Sequence, residues 1–325
     1  MNYAVSKRIW AELEDVERVV ISLHIEPDLD SIGSALALKE VLVGLGKNAE
    51  VVCFDKFLKR YDFFKDLDKV KEVKNRKFSF EEYDLYFALD SSSWSVVSKE
   101  GEAPSGIRTV VIDHHQTNKG WGDVNLIDVL PSTAEILYGL FCDWGIKIDG
   151  CVATNLLAGI IGDTGCFRYP NTRDRTHEIA GELMRVGANS EKIIGEVFQT
   201  KTFGEYKYWE QVLARMEFDR ETGILWSAIP HRVYEEYWRG EVEGVAGMFF
   251  QQVEGSRVGV YMTEEGEGVL TVSFRARDKN VDVSEIAVKL GGGGHKTAAG
   301  ARLMGMEFDE AVRRVLQETK NTLIK

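Results

Sequence analysis

Residues 19–46 read VVISLHIEPDLDSIGSALALKEVLVGLG, and the order of events within them decides the fold. The apolar run at 19–23 has the length and branching of a buried strand. It ends abruptly on His24, Pro27, Asp28 and Asp30. A helical pattern then runs over 31–45, with Ile32, Ala35, Leu36, Leu38, Leu42 and Leu45 at core-facing spacing. Ser31 is placed to cap that helix, and Gly44 and Gly46 mark its exit. The chain leaves a core strand and at once gathers groups that bind metals or water.

The same alternation continues. Runs at 49–54, 83–89 (YDLYFAL) and 109–112 (TVVI) read as further buried strands, with helical patterns at about 132–145, 150–161 and 174–187. Strands separated by helices predict an α/β fold with a mostly parallel sheet and helices on both faces. The pattern changes near 187–189. A polar helical stretch, 189–216, reads as a linker. Beyond it, strand-like runs at 223–229, 257–262 and 268–274 precede helices at 283–290 and 307–323. The expectation is a first domain over 1–188, a helical linker, and a smaller mixed α/β domain over 217–325, with an active-site cleft between the two domains.

The chain of 325 residues is long enough for two real cores. Its composition, 44% hydrophobic and 28% charged, is that of a globular protein. A net charge of -12 argues against a broad surface for long duplex nucleic acid, but leaves room for a small anion held locally. Cys53, Cys142, Cys151 and Cys166 make no CxxC pair and read as reduced thiols, with Cys142 and Cys151 simply packed. No apolar segment is of membrane-spanning length and the N-terminus lacks a signal-peptide core, so no membrane partner and a cytoplasmic location are expected.

Four places put carboxylates or histidines at the end of an expected strand or helix. They are His24, Asp28 and Asp30; Asp90 in FALDSSS; Asp113, His114 and His115 in VVIDHHQTN; and Asp163 in AGIIGDTGCF. Each alone has a plainer reading, since a lone Asp after a strand commonly serves a turn and the Asp28, Asp30 pair could cap a helix. The carboxyl edge of an open parallel sheet would bring them to one rim. Carboxylate with imidazole suits Mn²⁺, Mg²⁺ or a similar ion, and two such ions sharing Asp90 could present a bridging hydroxide to phosphorus. His114 and His115 are expected to point apart, one ligating and the other facing substrate.

The segment SFRARDKNVDVSEIAVKLGGGGHKTAAG, 273–300, is locally basic in an acidic chain. Arg275 and Arg277 alternate along a strand and would share a face able to grip phosphate. The glycine run, with Gly292, Gly293 and Gly294 ahead of His295, reads as an anion nest.

Together these motifs resemble the DHH phosphoesterase family, over nearly the whole chain. The first domain shows its four motifs in order, and GGGGH resembles the glycine-rich motif of the DHH-associated C-terminal domain. The length, the two-domain plan and VDVSEIAVKLGGGGHKTAAG resemble the bacterial nanoRNase branch, whose members are bifunctional oligoribonucleases and 3′-phosphoadenosine 5′-phosphate phosphatases. The resemblance implies His24, Asp28 and Asp90 around one Mn²⁺ and Asp30, Asp90, His114 and Asp163 around a second, with Mg²⁺ or Co²⁺ as substitutes. It implies that Asp113 orients the histidine pair, that His115 contacts the scissile phosphate, and that Arg275, the glycine run and His295 hold the far phosphate. Arg277 would sit at the rim. The implied partners are short single-stranded oligoribonucleotides and small nucleotides; a homodimer is compatible with the chain, but no residue pattern argues for it. Two other readings stand beside it: a phosphodiesterase for pApA or cyclic di-AMP, and a non-catalytic nucleotide sensor. Leu29 departs from the family, which carries a small residue between the two aspartates, and its side chain is expected to project away from the metals.

Overall fold

The computed structural model describes residues 3–56, 61–73, 78–237, 250 and 253–323, which form two compact units divided between Thr200 and Lys201.

In the first unit, β1 (Arg18–Ser22), β2 (Asn48–Cys53), β3 (Lys71–Glu72), β4 (Leu85–Leu89), β5 (Arg108–Asp113) and β6 (Val124–Ile127) build one sheet. Its order is β3-β2-β1-β4-β5-β6 and every pairing is parallel. The helices are α1 (Ser6–Ala11), α2 (Leu29–Gly44), α3 (Trp94–Val97), α4 (Thr133–Asp143), α5 (Gly150–Asp163), α6 (Asp174–Arg185) and α7 (Ser190–Ile194). The chain leaves β1 through α2 for β2 on one side, then returns to place β4 on the other. The carboxyl ends of β1 and β4 therefore border the switch point where open α/β sheets bind ligands.

The helical cover is lopsided. Val19, Ile21, Phe87 and Ile112 pack with Leu36, Leu137 and Leu156 of α2, α4 and α5. The alternate residues Val20, Val52, Tyr86, Ala88 and Val111 face the other way, where Phe54, Phe78, Phe80, Trp94 and Trp121 cover them. Aromatic side chains on loops and the one-turn α3 thus do on that face what long helices do on the first.

Helix α2 starts earlier than its apolar periodicity indicates. Asp28, not Ser31, is the cap: its Oδ1 accepts from the N–H groups of Asp30 and Ser31, both at 3.0 Å. The Ser31 hydroxyl instead accepts from the His24 N–H at 3.2 Å. Leu29, the first helical residue, is buried; a Cβ on Gly162 of α5 would lie 2.7 Å from the Leu29 Cβ. Leu29 is therefore a packing residue between α2 and α5.

The second unit holds α8 (Phe203–Ala214), β7 (Glu217–Asp219), β8 (Ile224–Ile229), α9 (His231–Tyr237), β9 (Val258–Gly266), β10 (Val269–Ala276), α10 (Val283–Lys289), β11 (Gly293–Gly294), β12 (Ala298–Met304) and α11 (Phe308–Leu323). The sheet order is β11-β12-β10-β9-β8-β7, antiparallel except for β8 with β9. The expected linker divides between the two units. Ile193 of α7 sits in the first core, whereas Tyr208 and Val212 of α8 pack with Leu225 and Ile229. Strand β12 was hidden from pattern reading because its buried residues include the small Ala299 and Ala301, which carry little hydrophobic signal. Cys142, expected to be packed, is exposed on the last turn of α4, and Cys151 is partly exposed. No described helix is long and apolar enough to cross a membrane.

Candidate active site

Three strand ends and one helix end of the first unit converge. His24 follows β1, Asp90 follows β4, His114 and His115 follow β5, and Asp163 closes α5. Among the described residues, three groups of potential ligands result: His24, Asp28 and Asp90; Asp30, His114 and Asp163; and Asp90, His114 and His115. Within each, the donor atoms lie within 4.8 Å of one another. Asp90 belongs to two of them. Its backbone takes the left-handed φ of 52°, a conformation that Asp tolerates better than most residues.

Both inner histidines are oriented by backbone carbonyls. His24 Nδ1 donates to the Ile25 carbonyl at 2.7 Å, and His114 Nδ1 to the Leu130 carbonyl at 3.1 Å. Each leaves Nε2 facing carboxylates. His24 Nε2 lies 3.5 Å from Asp28 Oδ1 and 3.6 Å from Asp90 Oδ2; His114 Nε2 lies 3.3 Å from Asp90 Oδ1 and 3.2 Å from Asp163 Oδ2. Asp30 is wholly buried and accepts from the first N–H groups of α4: Thr133 at 2.6 Å and Ala134 at 2.9 Å. That helix N-terminus supplies partial positive charge to a carboxylate far from water.

The electrostatics ask for cations. Burial, then repulsion from Asp90, pushes Asp30 up to about 7, and burial with Asp30, Asp28 and Asp90 raises Asp163 well above the usual carboxylate range. Burial works against charge on the histidines, yet Asp28 and Asp90 lift His24 to about 11, and Asp90 foremost lifts His114 to about 10. Burial would raise Asp90 too, but His114 and His24 hold it far below its ordinary value. Positive charge is needed here, either as protons on the histidines or as divalent cations that displace them. Oxygen and imidazole donors without a thiolate fit Mn²⁺ or a similar ion.

The histidine pair does not splay apart. The rings of His114 and His115 meet edge to face at 4.4 Å, with His114 turned inward and His115 half exposed. Consecutive residues past a strand end no longer alternate strictly, so both rings reach Asp90. Asp113, fully buried, receives His115 Nδ1 at 2.8 Å and the Asn118 amide at 2.7 Å. It orients His115 alone, since His114 is held by Leu130.

In the second unit, Arg275 lies on β10 and Arg277 one residue past its end, where the Arg277 N–H donates to the Arg257 carbonyl at 2.9 Å. The Arg277 guanidinium donates to the Val253 carbonyl. The glycine run is a tight connection more than an open nest. The N–H groups of Gly291 and Gly292 donate to carbonyls of α10, and His295 N–H donates to the Ala298 carbonyl at 2.8 Å. A Cβ on Gly292 would lie 2.1 Å from the Gly300 carbonyl oxygen, and one on Gly294 2.5 Å from Ala299 Cα. Gly293 has open space beside it, and Gly293, Gly294 and His295 are exposed.

Comparison with known proteins decides the family. The profile described as the DHH family, N-terminal domain, matches residues 18–160, and the DHHA1 domain profile matches 225–323. A bifunctional oligoribonuclease and PAP phosphatase, NrnA, of Thermus thermophilus is 31% identical, aligned over 99% of this chain and 98% of its own. The chain belongs to the DHH family. It is accordingly a phosphoesterase, of a kind that depends on bound metal. The NrnA protein of Bacillus subtilis is 27% identical over 91% of this DHH chain and 92% of its own. The cyclic-di-AMP phosphodiesterase GdpP of the same organism is 27% identical over 96% of this chain but 49% of its own. Among solved structures, an exopolyphosphatase-related protein from Bacteroides fragilis shares the fold, with a TM-score of 0.88 at 22% identity over 99% and 98% of the two chains. The DHH motifs were legible as motifs; Thr133, whose N–H and hydroxyl both enter the centre, was not. Its one sequence signal is the helix start STAE at 132–135, which announces unpaired N–H groups without saying which anion they meet.

Proposed function

We propose that this DHH phosphoesterase hydrolyses short oligoribonucleotides to nucleoside 5′-monophosphates and removes the 3′-phosphate of 3′-phosphoadenosine 5′-phosphate. The observation that carries the reading is Asp90, shared between the group of His24 and Asp28 and that of His114 and His115, in a chain that aligns nearly end to end with the NrnA protein of Thermus thermophilus. His24, Asp28 and Asp90 would hold one divalent cation and Asp30, Asp90, His114 and Asp163 a second, with Mn²⁺ the expected ion. Bound cations supply Lewis acidity at the phosphoryl group and make water a competent nucleophile at neutral pH.

The chain's own groups do the rest. Asp113 fixes His115 so that Nε2 faces a phosphoryl oxygen, and the Asp113 carboxylate, the first cause of a raised His115 pKa, favours the cationic ring that stabilises growing negative charge. Hydrolysis breaks the bond between phosphorus and the 3′ oxygen. The oxygen of water joins phosphorus, leaving a 5′-phosphate on one product, and a proton goes to the released oxygen, leaving a 3′-hydroxyl on the other. With 3′-phosphoadenosine 5′-phosphate the products are AMP and inorganic phosphate. Arg275, Gly292, Gly293, Gly294 and His295 of the second unit are assigned to the far phosphate, so that binding away from the scissile bond contributes to kcat. An acidic chain gains little from long strands, which fits a preference for the shortest ones. Unpaired thiols fit a cytoplasmic setting.

A cyclic-di-AMP phosphodiesterase is the second reading, favoured by the likeness to GdpP. Kinetics on pApA, cyclic di-AMP, RNA of two to five nucleotides and 3′-phosphoadenosine 5′-phosphate separate the two. Faster turnover of the cyclic compound than of linear dimers would overturn the first reading. Turnover that needs Mn²⁺ and is lost in folded Asp90→Ala is expected; nucleotide binding without turnover in any divalent ion would mark a sensor instead.

A further inference from the structure

Helix α4 opens onto the centre with a residue that holds two carboxylates at once. The Thr133 N–H donates to Asp30 Oδ2 at 2.6 Å, and the Thr133 hydroxyl donates to Asp90 Oδ1 at 3.1 Å. The two aspartates follow different strands, and Thr133, Asp30 and Asp90 are all buried. The hydroxyl is not needed for capping, because Ser132 Oγ already accepts from the Glu135 N–H at 3.2 Å.

Asp90 needs such a partner. Three imidazoles surround it, with His114 Nε2 3.3 Å and His115 Nδ1 3.7 Å from Oδ1 and His24 Nε2 3.6 Å from Oδ2. Rotation about its side chain would exchange which oxygen meets which histidine. A donor fixed to a helix terminus removes that freedom, and a hydroxyl does so without adding charge. Lys or Arg in the same place would neutralise the carboxylate that a cation needs. Asp30 is held by the same residue through backbone, with Oδ1 also accepting from Ala134 N–H and the Ser34 hydroxyl. Asp30 Oδ1 is thereby saturated, leaving Oδ2 the oxygen with a free lone pair.

We propose that Thr133 is a positioning residue that orients Asp90 relative to Asp30, and so sets the spacing of the two groups assigned to cations. The inference rests on the reading of those groups as a metal centre. Loss of a hydrogen bond behind a ligating carboxylate costs about 10–100-fold in metal affinity or activity.

The test compares the full chain with Thr133→Val, which keeps shape and N–H, and Thr133→Ser, which keeps the hydroxyl. Calorimetric Mn²⁺ titration is expected to show about 10–100-fold weaker binding for Thr133→Val and near-wild-type binding for Thr133→Ser. The Val variant should lose kcat with little change in KM. A crystal structure of metal-free Thr133→Val should show the Asp90 carboxylate turned from its wild-type orientation. Equal Mn²⁺ affinity in wild type and Thr133→Val, equal damage in Thr133→Ser, or an unmoved Asp90 would each overturn the proposal. If Thr133→Val does not fold, Thr133→Ala set against Thr133→Ser makes the same comparison. Wild type that neither binds divalent ions nor turns over would sink the functional reading instead, and the Asp90 orientation would still judge Thr133.

Discussion

Gly159 of α5 makes the room in which Asp30 of α2 sits: a Cβ there would lie 2.5 Å from Asp30 Oδ1 and 2.8 Å from the Ala134 Cβ. Asp30 cannot swing aside cheaply, because α4 holds both its oxygens. Gly159→Ala is expected to cost about 1–3 kcal/mol in stability through overpacking. It should also weaken Mn²⁺ binding beyond any global unfolding. Urea denaturation and Mn²⁺ titration of the same preparation check this; an unchanged metal affinity would show that the seat of Asp30 adapts.

Metal binding should release protons. His24 and His114, lifted to about 11 and about 10, carry protons at neutral pH when no cation is bound, and each must lose its Nε2 proton to ligate. Apparent Mn²⁺ affinity is therefore expected to rise with pH across the neutral range. Calorimetry in buffers of different ionisation enthalpy would count the protons released. At a free ion concentration of about 100 times Kd, stabilisation of about 2.7 kcal/mol should follow and vanish with a chelator. An affinity flat in pH with no proton release would contradict the protonated histidine pair.

The two arginines of the basic segment should behave differently. Arg275→Ala is expected to raise KM most for substrates with a far phosphate and to leave bis(p-nitrophenyl) phosphate almost unaffected. Arg277, committed to the Val253 carbonyl, should lower the melting temperature when replaced by Ala and hardly touch substrate selectivity. Equal losses on both substrate types in Arg275→Ala would remove it from the phosphate-holding set.

Within the glycine run, position decides the outcome. Gly292→Ala and Gly294→Ala meet β12 backbone at 2.1 and 2.5 Å and should destabilise the second unit. Gly293→Ala meets nothing within 4 Å and should fold normally. A KM increase confined to oligonucleotides in Gly293→Ala would then report ligand contact, not folding. Wild-type kinetics in that variant would mean that no ligand approaches this backbone.

Much of the centre was readable before any coordinate. The apolar run at 19–23 announces a buried strand, and abrupt polar residues after it announce a strand end at a ligand-bearing edge. His24, Asp28, Asp90 and His114 follow such strand ends and Asp163 closes helix α5, so local pattern and fold class together bring them to one rim. The plain and the functional readings of Asp28 also proved compatible, since it caps α2 and faces His24.

Other features depend on contacts between segments distant in sequence, which no local pattern encodes. The sequence by itself determined the α/β class, the inventory of carboxylate and imidazole groups at element ends and the acidic balance, because these follow from periodicity and residue type. Only the tertiary structure decided that Asp30 is seated on the N-terminus of α4, that Gly159 gives it space, and that Thr133 joins it to Asp90. The aromatic cover on the sheet's second face and the bond from the Arg277 guanidinium to the Val253 carbonyl were visible only there too. The physical reason is the same throughout. A hydrogen bond or a steric fit between residues a hundred positions apart exists only once the sheet order has placed them side by side.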